Sequence, residues 1–157
     1  MKKNLSYAFI TILLSYCIIG CSEKTTDPET EIRNYIENAK LAAESRNHND
    51  FSDLLHDDYK DQRGMDKSQL TKTIRAYFFT HKNIFLYTDI EDINFLENEQ
   101  AFVTVNTAMS GKVISNTDSL INLRAKIYRF ELLLTKENKQ WLLQKAKWKQ
   151  ISVKDLL

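Results

Sequence analysis

The sequence predicts an α+β domain in which three N-terminal helices pack on a curved antiparallel sheet of about four strands. Apolar residues recur at helical spacing as far as residue 81 and at alternate positions beyond it. Helices first and strands after place consecutive strands antiparallel, with the helices gathered on one face. Two of the later strands also move their apolar set from one parity to the other midway, which a flat, one-sided strand cannot do.

The first 20 residues read as an export signal. Lys2 and Lys3 supply positive charge, Leu5 to Ile19 form an apolar stretch of 15 residues broken by Ser6, Thr11 and Ser15, and Gly20 is the small residue before a cut. A membrane-spanning helix needs about 20 apolar residues, so a permanent span is the poorer reading. Ile18-Ile19-Gly20-Cys21 then reads as a lipobox, with cleavage between Gly20 and Cys21 and a diacylglyceryl group on the Cys21 sulfur. An ordinary secretory signal would leave Cys21 unexplained. The pattern is similar to bacterial lipoprotein signals, which implies a lipid-anchored protein of the cell envelope. Ser22 in the second mature position resembles the sorting signal for an outer membrane, facing the periplasm, in a host with two membranes. Cys17 would leave with the signal, so the mature domain is expected to carry no thiol, disulfide or cysteine-ligated metal. Two or three acyl chains hold a protein on a membrane where one does so only marginally.

Residues 21–27 lack large apolar side chains and form a lipidated tether, leaving 28–157 as one domain. Asp27-Pro28-Glu29 is a helix start: a capping acid, proline in the first turn and acids against the helix dipole. Ile32, Tyr35, Ile36, Ala39, Ala42 and Ala43 follow at helical spacing, predicting an amphipathic helix over 28–46. A short second helix capped by Asp50 carries Phe51, Leu54 and Leu55. Residues 57–65 are polar and read as a loop. Asp66 and Gln69 form a capping-box pair opening a third helix with Leu70, Ile74, Tyr77 and Phe78 on its buried stripe, ending near His81.

Strands are predicted at about 84–96, 101–110, 119–135 and 140–151. In the first, apolar residues occupy even positions at Ile84, Leu86 and Ile90 and odd ones at Ile93 and Phe95. In the third, Ile121, Leu123, Ala125 and Ile127 give way to Tyr128, Phe130, Leu132 and Leu134. Bulges or bends are therefore expected near Asp92 and near Tyr128.

The whole chain has 22 Lys and Arg against 21 Asp and Glu, and loss of Lys2 and Lys3 would leave a net charge of −1. Nucleic-acid binding is not expected from so neutral a protein. Charge is uneven locally. Residues 83–111 hold Asp89, Glu91, Asp92, Glu97 and Glu99 with no Lys or Arg, whereas Lys145, Lys147 and Lys149 share one face of the last strand. Two readings fit these lysines, a patch for lipid headgroups or an anionic glycan and the solvated outer face of an edge strand, and the second is the expectation here.

Three helices before a long, bent antiparallel sheet resemble the nuclear transport factor 2-like fold, also called SnoaL-like or cystatin-like, over residues 28–152. Asp50-Phe51-Ser52-Asp53-Leu54-Leu55 resembles its short second helix, residues 66–81 its third, and Gln140-Trp141-Leu142-Leu143 the start of its last strand. The resemblance implies a conical sheet closed by helices over a cavity, and sheet faces that pair into homodimers. It does not imply one function, since the fold hosts isomerases, dehydratases and non-enzymatic binding modules.

The isomerases and dehydratases of that family place an Asp or His base with a Tyr or Asp donor inside the cone. Here the available bases are His56, His81, Asp89 and Asp92. His56-Asp57-Asp58 sits in a polar stretch, and adjacent residues diverge too far to converge on one substrate or metal. No Gly-x-Ser-x-Gly elbow, Gly-rich phosphate loop or paired His/Cys metal spacing occurs, so no catalytic residue, metal or cofactor is assigned. Aromatic residues outnumber reactive ones. Tyr59, Tyr77, Phe78, Tyr87, Tyr128 and Trp148 are the candidate lining of a pocket, though such residues serve more often as core. The sequence thus favours a membrane-anchored, non-enzymatic module that binds a small apolar ligand or an envelope protein. A lyase or isomerase of the ketosteroid-isomerase type is the alternative.

Overall fold

A computed structural model describes residues 27–97, 99–113, 126–152 and 155. The lipobox, the signal and the tether lie outside the described residues, as do the first residues of the strand expected over 119–135. The described residues form three helices, α1 (Pro28–Glu44), α2 (His48–Asp53) and α3 (Lys67–Thr80). Five strands accompany them: β1 (Leu55–Asp61), β2 (Phe85–Leu96), β3 (Gln100–Ser110), β4 (Lys126–Glu137) and β5 (Gln140–Ile151).

The Asp27 side chain accepts from the Thr30 amide at the start of α1, and Asp66 and Gln69 close a complete capping box on α3. The second helix differs from expectation at its start. Asn47, not Asp50, is the cap, and its Oδ1 accepts from the amides of Asn49 and Asp50.

The sheet runs β1-β5-β4-β3-β2 and has five strands, not four. The extra strand is β1, within the polar stretch expected to be a loop. It pairs parallel with β5 with a register slip between Leu55 and Lys60, and Leu55, His56, Tyr59 and Asp61 are buried while Asp57, Asp58 and Lys60 are not. Asp57, exposed at the same parity as buried Leu55, Tyr59 and Asp61, breaks the alternation, so the stretch carries no apolar period of two. The Leu54 carbonyl binds strand to helix, accepting from the Leu143 amide at 2.9 Å and from the Tyr35 hydroxyl at 3.1 Å. Gly64, at φ 81°, makes the left-handed turn that leads from β1 into α3.

The register of β2 slips between Ile90 and Asp92, leaving Glu91 as the extra residue where a bulge was expected. No bulge occurs at Tyr128: the β3–β4 ladder is regular from Gln100↔Thr135 to Met109↔Lys126. The parity change there comes from burial on both faces, with Ile127 buried on the outer side beside Ala108. The second slip lies in β5, where Leu133 pairs with Lys145 and Leu134 with Leu143, so Gln144 is extra.

These bends curl the sheet around α1. Ile32, Tyr35 and Ile36 of that helix pack with Leu55, Val103, Leu132, Leu134 and Leu143 into one core. Glu31 fixes the helix at one end, accepting from the Trp141 indole at 2.9 Å and from the Lys136 ammonium. On the outer face the Glu91 bulge meets Arg129 at 2.7 Å. Asn106, 3% exposed, donates to Glu91 and accepts from Arg129, so its buried amide is satisfied.

Candidate functional site

Where α1, α2 and α3 cross the mouth of the curled sheet, the core does not fill the space. A cavity of about 450 Å³ remains. Strand alternation supplies its floor: Leu86 and Thr88 of β2, Val105 and Thr107 of β3, Tyr128, Phe130 and Leu132 of β4, and Trp148 of β5 stand on one face of the sheet. The buried stripe of α3 forms the roof, with Leu70, Ile74, Tyr77 and Phe78 spaced for that purpose. Ala39 and Ala43 of α1 bring that helix close, and Lys40 beside them is the single charged residue on the wall. At the rim the Tyr77 hydroxyl reaches Met109 Sδ at 3.5 Å, tying α3 to β3.

Five of the six aromatic residues singled out from sequence, Tyr59, Tyr77, Phe78, Tyr128 and Trp148, lie on this wall. Tyr87 does not. It pairs with Ala108, which pairs with Ile127, and all three stand on the outer face. Its odd position in β2, one residue from inward-facing Leu86, dictates this. The four candidate bases are also elsewhere. Asp89 and Asp92 are exposed, and His81 is exposed and stacked on Tyr77 with centroids 3.8 Å apart. His56 is 7% exposed but points to the outside of the cone: its Nδ1 accepts from the Asp58 amide and its Nε2 lies 3.0 Å from Glu137. No group of three His, Cys, Asp or Glu residues that could hold a metal exists among the described residues.

Sequence reasoning missed Asp61. It is 8% exposed, in the inward set of β1 with Leu55 and Tyr59. Its Oδ1 accepts from the amides of Arg63 and Met65 and so closes the turn before α3. Its Oδ2 is buried without a hydrogen-bond partner among the described residues. Tyr59 two residues earlier, Met65 across the turn and Ala146 in register on β5 all line the cavity, whereas Asp61 itself does not. The Tyr59 hydroxyl is raised above the ordinary phenol range by burial and then by the Asp61 charge. Tyr35 is raised by burial and then by Tyr59. Tyr59 and Tyr35 thus place two phenols on the wall, with the Asp61 carboxylate behind the first of them.

Together the curled five-stranded sheet, the three covering helices and the cavity between them define the nuclear transport factor 2-like, or cystatin-like, fold. Solved structures agree. A domain of unknown function with a cystatin-like fold from Nostoc punctiforme superposes with a TM-score of 0.62 at 13% identity, over 84% of this chain and 83% of that one. A nuclear transport factor 2-like protein of unknown function from Shewanella oneidensis gives 0.55 at 15% identity, over 78% and 98%. A hexachlorocyclohexane dehydrochlorinase gives 0.60 at 8% identity, over 79% and 85%. Identities this low define the shared fold alone. No protein-family model matches the sequence, and no curated protein matches it.

Proposed function

We propose that this chain is a lipid-anchored binding protein of the cell envelope whose cone holds one small, largely apolar molecule. The observation that carries the reading is the wall of the cavity: 27 residues, of which only Lys40 is charged. Ligand sites of about 300–1,000 Å³ with apolar walls and a few polar groups are the common form of small-molecule pockets, and this chamber falls in that range. Lipid on Cys21 would hold the domain at the membrane, on a tether of roughly 20 Å when extended. That is where apolar molecules concentrate. The reading is tested by titrating the protein with an apolar naphthylamine probe. Saturable binding of one probe per chain, displaced by competing apolar molecules, is the expected result; no saturation sinks it. Metabolic labelling with a radioactive fatty acid tests the anchor, and incorporation into the Cys21→Ser chain would refute it.

A second reading rests on a different observation, the unpartnered oxygen of Asp61 beside Tyr59. A carboxylate buried behind a phenol that itself lines an apolar chamber has the parts of a base and a hydrogen-bond donor for proton abstraction. One structural neighbour is a dehydrochlorinase, so the fold supports elimination chemistry elsewhere. In this reading Asp61 takes the place of Asp89, Asp92, His56 and His81. Turnover of an apolar substrate that disappears in Asp61→Asn while binding persists would favour it over simple binding.

A further inference from the structure

A second concave surface lies outside the cone, where the α1–α2 turn meets the outer side of α3. Ser45, Arg46 and His48 form one side, and Lys72, Arg75, Ala76 and Phe79 the other, around an open depression of about 690 Å³. Lys72, Arg75 and Phe79 are spaced by three and four residues, so they share one exposed stripe of α3, opposite the stripe that roofs the cavity. Arg46 is set there by a left-handed backbone, φ 57°. Ion pairs elsewhere on the molecule occupy Arg33, Lys40, Lys67, Arg129 and Lys136. Arg46, Lys72 and Arg75 make none among the described residues. Phe79 stands among them 88% exposed, a phenyl ring held out in water.

Three unpaired cations around an exposed aromatic ring point to one kind of partner, and we propose that this face docks on an anionic lipid bilayer. The cations match headgroup phosphates, each basic residue near such a surface adding to attraction. The phenyl ring fits the boundary between headgroups and acyl chains. A soluble phosphate or an anionic glycan would satisfy the cations and leave Phe79 in water, so the ring decides between them. The patch also sits at the C-terminal end of α1, about 25 Å along that helix from Pro28. A chain anchored through its N-terminus and docked through this patch would be fixed at two points, with α1 lying along the bilayer.

The test uses the full chain with Cys17→Ser, Cys21→Ser and Phe79→Cys, labelled at residue 79 with an environment-sensitive dye. It is mixed with vesicles of phosphatidylcholine alone or containing about a quarter phosphatidylglycerol. Apolar residues 5–19 can enter either vesicle, so the neutral lipid controls for tethering through the N-terminus. The dye is expected to shift to the blue and brighten with the anionic vesicles only. Lys72→Gln with Arg75→Gln should weaken that response roughly 30-fold, the worth of two basic residues at an anionic bilayer. Lys145→Gln with Lys147→Gln, the same charge change on the outer sheet face, should leave it unaltered. All four lysine and arginine side chains are exposed, so folding is not at stake, and unchanged thermal unfolding verifies this. Three results would each overturn the proposal. They are equal response in neutral vesicles, equal loss from both double variants, or Phe79→Ala, with the cysteines replaced and no dye, sedimenting with the anionic vesicles as tightly as the chain that keeps Phe79.

Discussion

Asp61 shows how one side chain can serve the fold and the site with different atoms. Oδ1 closes the turn into α3, and Oδ2 is desolvated with nothing to accept from. Removing the whole carboxyl should therefore cost stability, whereas removing its charge alone should not. Asp61→Ala is expected to lower unfolding free energy by about 1–3 kcal/mol and Asp61→Asn to leave it equal or higher, as read by urea denaturation. A loss in Asp61→Asn as large as in Asp61→Ala would mean that Oδ2 has a partner. Glu31 presents the opposite case. Hydrogen bonds from Lys136 and then Trp141 hold its carboxyl below the usual range. A carboxyl that titrates lower in the folded state stabilises fully above its unfolded value, about 4.3, and loses that contribution as pH falls through the folded value. Glu31→Gln should accordingly be less stable than the parent at pH 7, with the gap narrowing as pH falls below the unfolded value. A gap that holds constant with pH would contradict the assignment. Neither role was legible in sequence. Asp61 lies in a polar run that offered no apolar frame, and the Glu31 partners are 105 and 110 positions away.

At the scale of elements, signals that depend on neighbours in sequence were legible and those that depend on a partner strand were not. The Asp66–Gln69 box requires only its own turn, and it is present; Asp66→Ala should cost about 1 kcal/mol in thermal or chemical unfolding. A change within a few tenths would show that α3 is held by packing alone. The bulge at Glu91 followed from parity because β2 has one buried face on either side of the slip. Parity misled at Tyr128 because the outer side of β4 is also covered at Ile127, and the slip at Gln144 moves the buried set only from Trp141 and Leu143 to Ala146, which the flanking lysines mask. Strand β1 was invisible for a related reason: its partner β5 lies more than 80 residues on. Its pairing has a measurable consequence. The amides of Gln62 and Leu143, which bond to Ala146 and Leu54, should resist hydrogen exchange, while Asp57 to Asp58 side chains remain in solvent. Rapid exchange at both amides would return this stretch to a loop.

For the molecule as a whole, the order of helices and strands was enough to anticipate a cone, and the cone places apolar stripes from both on one chamber. Whether such a chamber is filled depends on side-chain volumes summed across eight elements, which no local pattern reports. The same limit applied to the aromatic residues: strand parity separates Tyr87 from Leu86, but their distances to α3 emerge only when the sheet bends. In the binding role proposed above, the chamber stays unfilled by side chains and takes one apolar molecule. Thr107, half-buried on its floor, gives the most direct test. Thr107→Trp would fill a large part of about 450 Å³ with an indole. Calorimetric titration of an apolar ligand should give one site per chain in the parent and loss of binding in Thr107→Trp, whose unfolding temperature stays equal or rises. Binding retained at full affinity in a folded Thr107→Trp chain would place the ligand elsewhere and contradict the account.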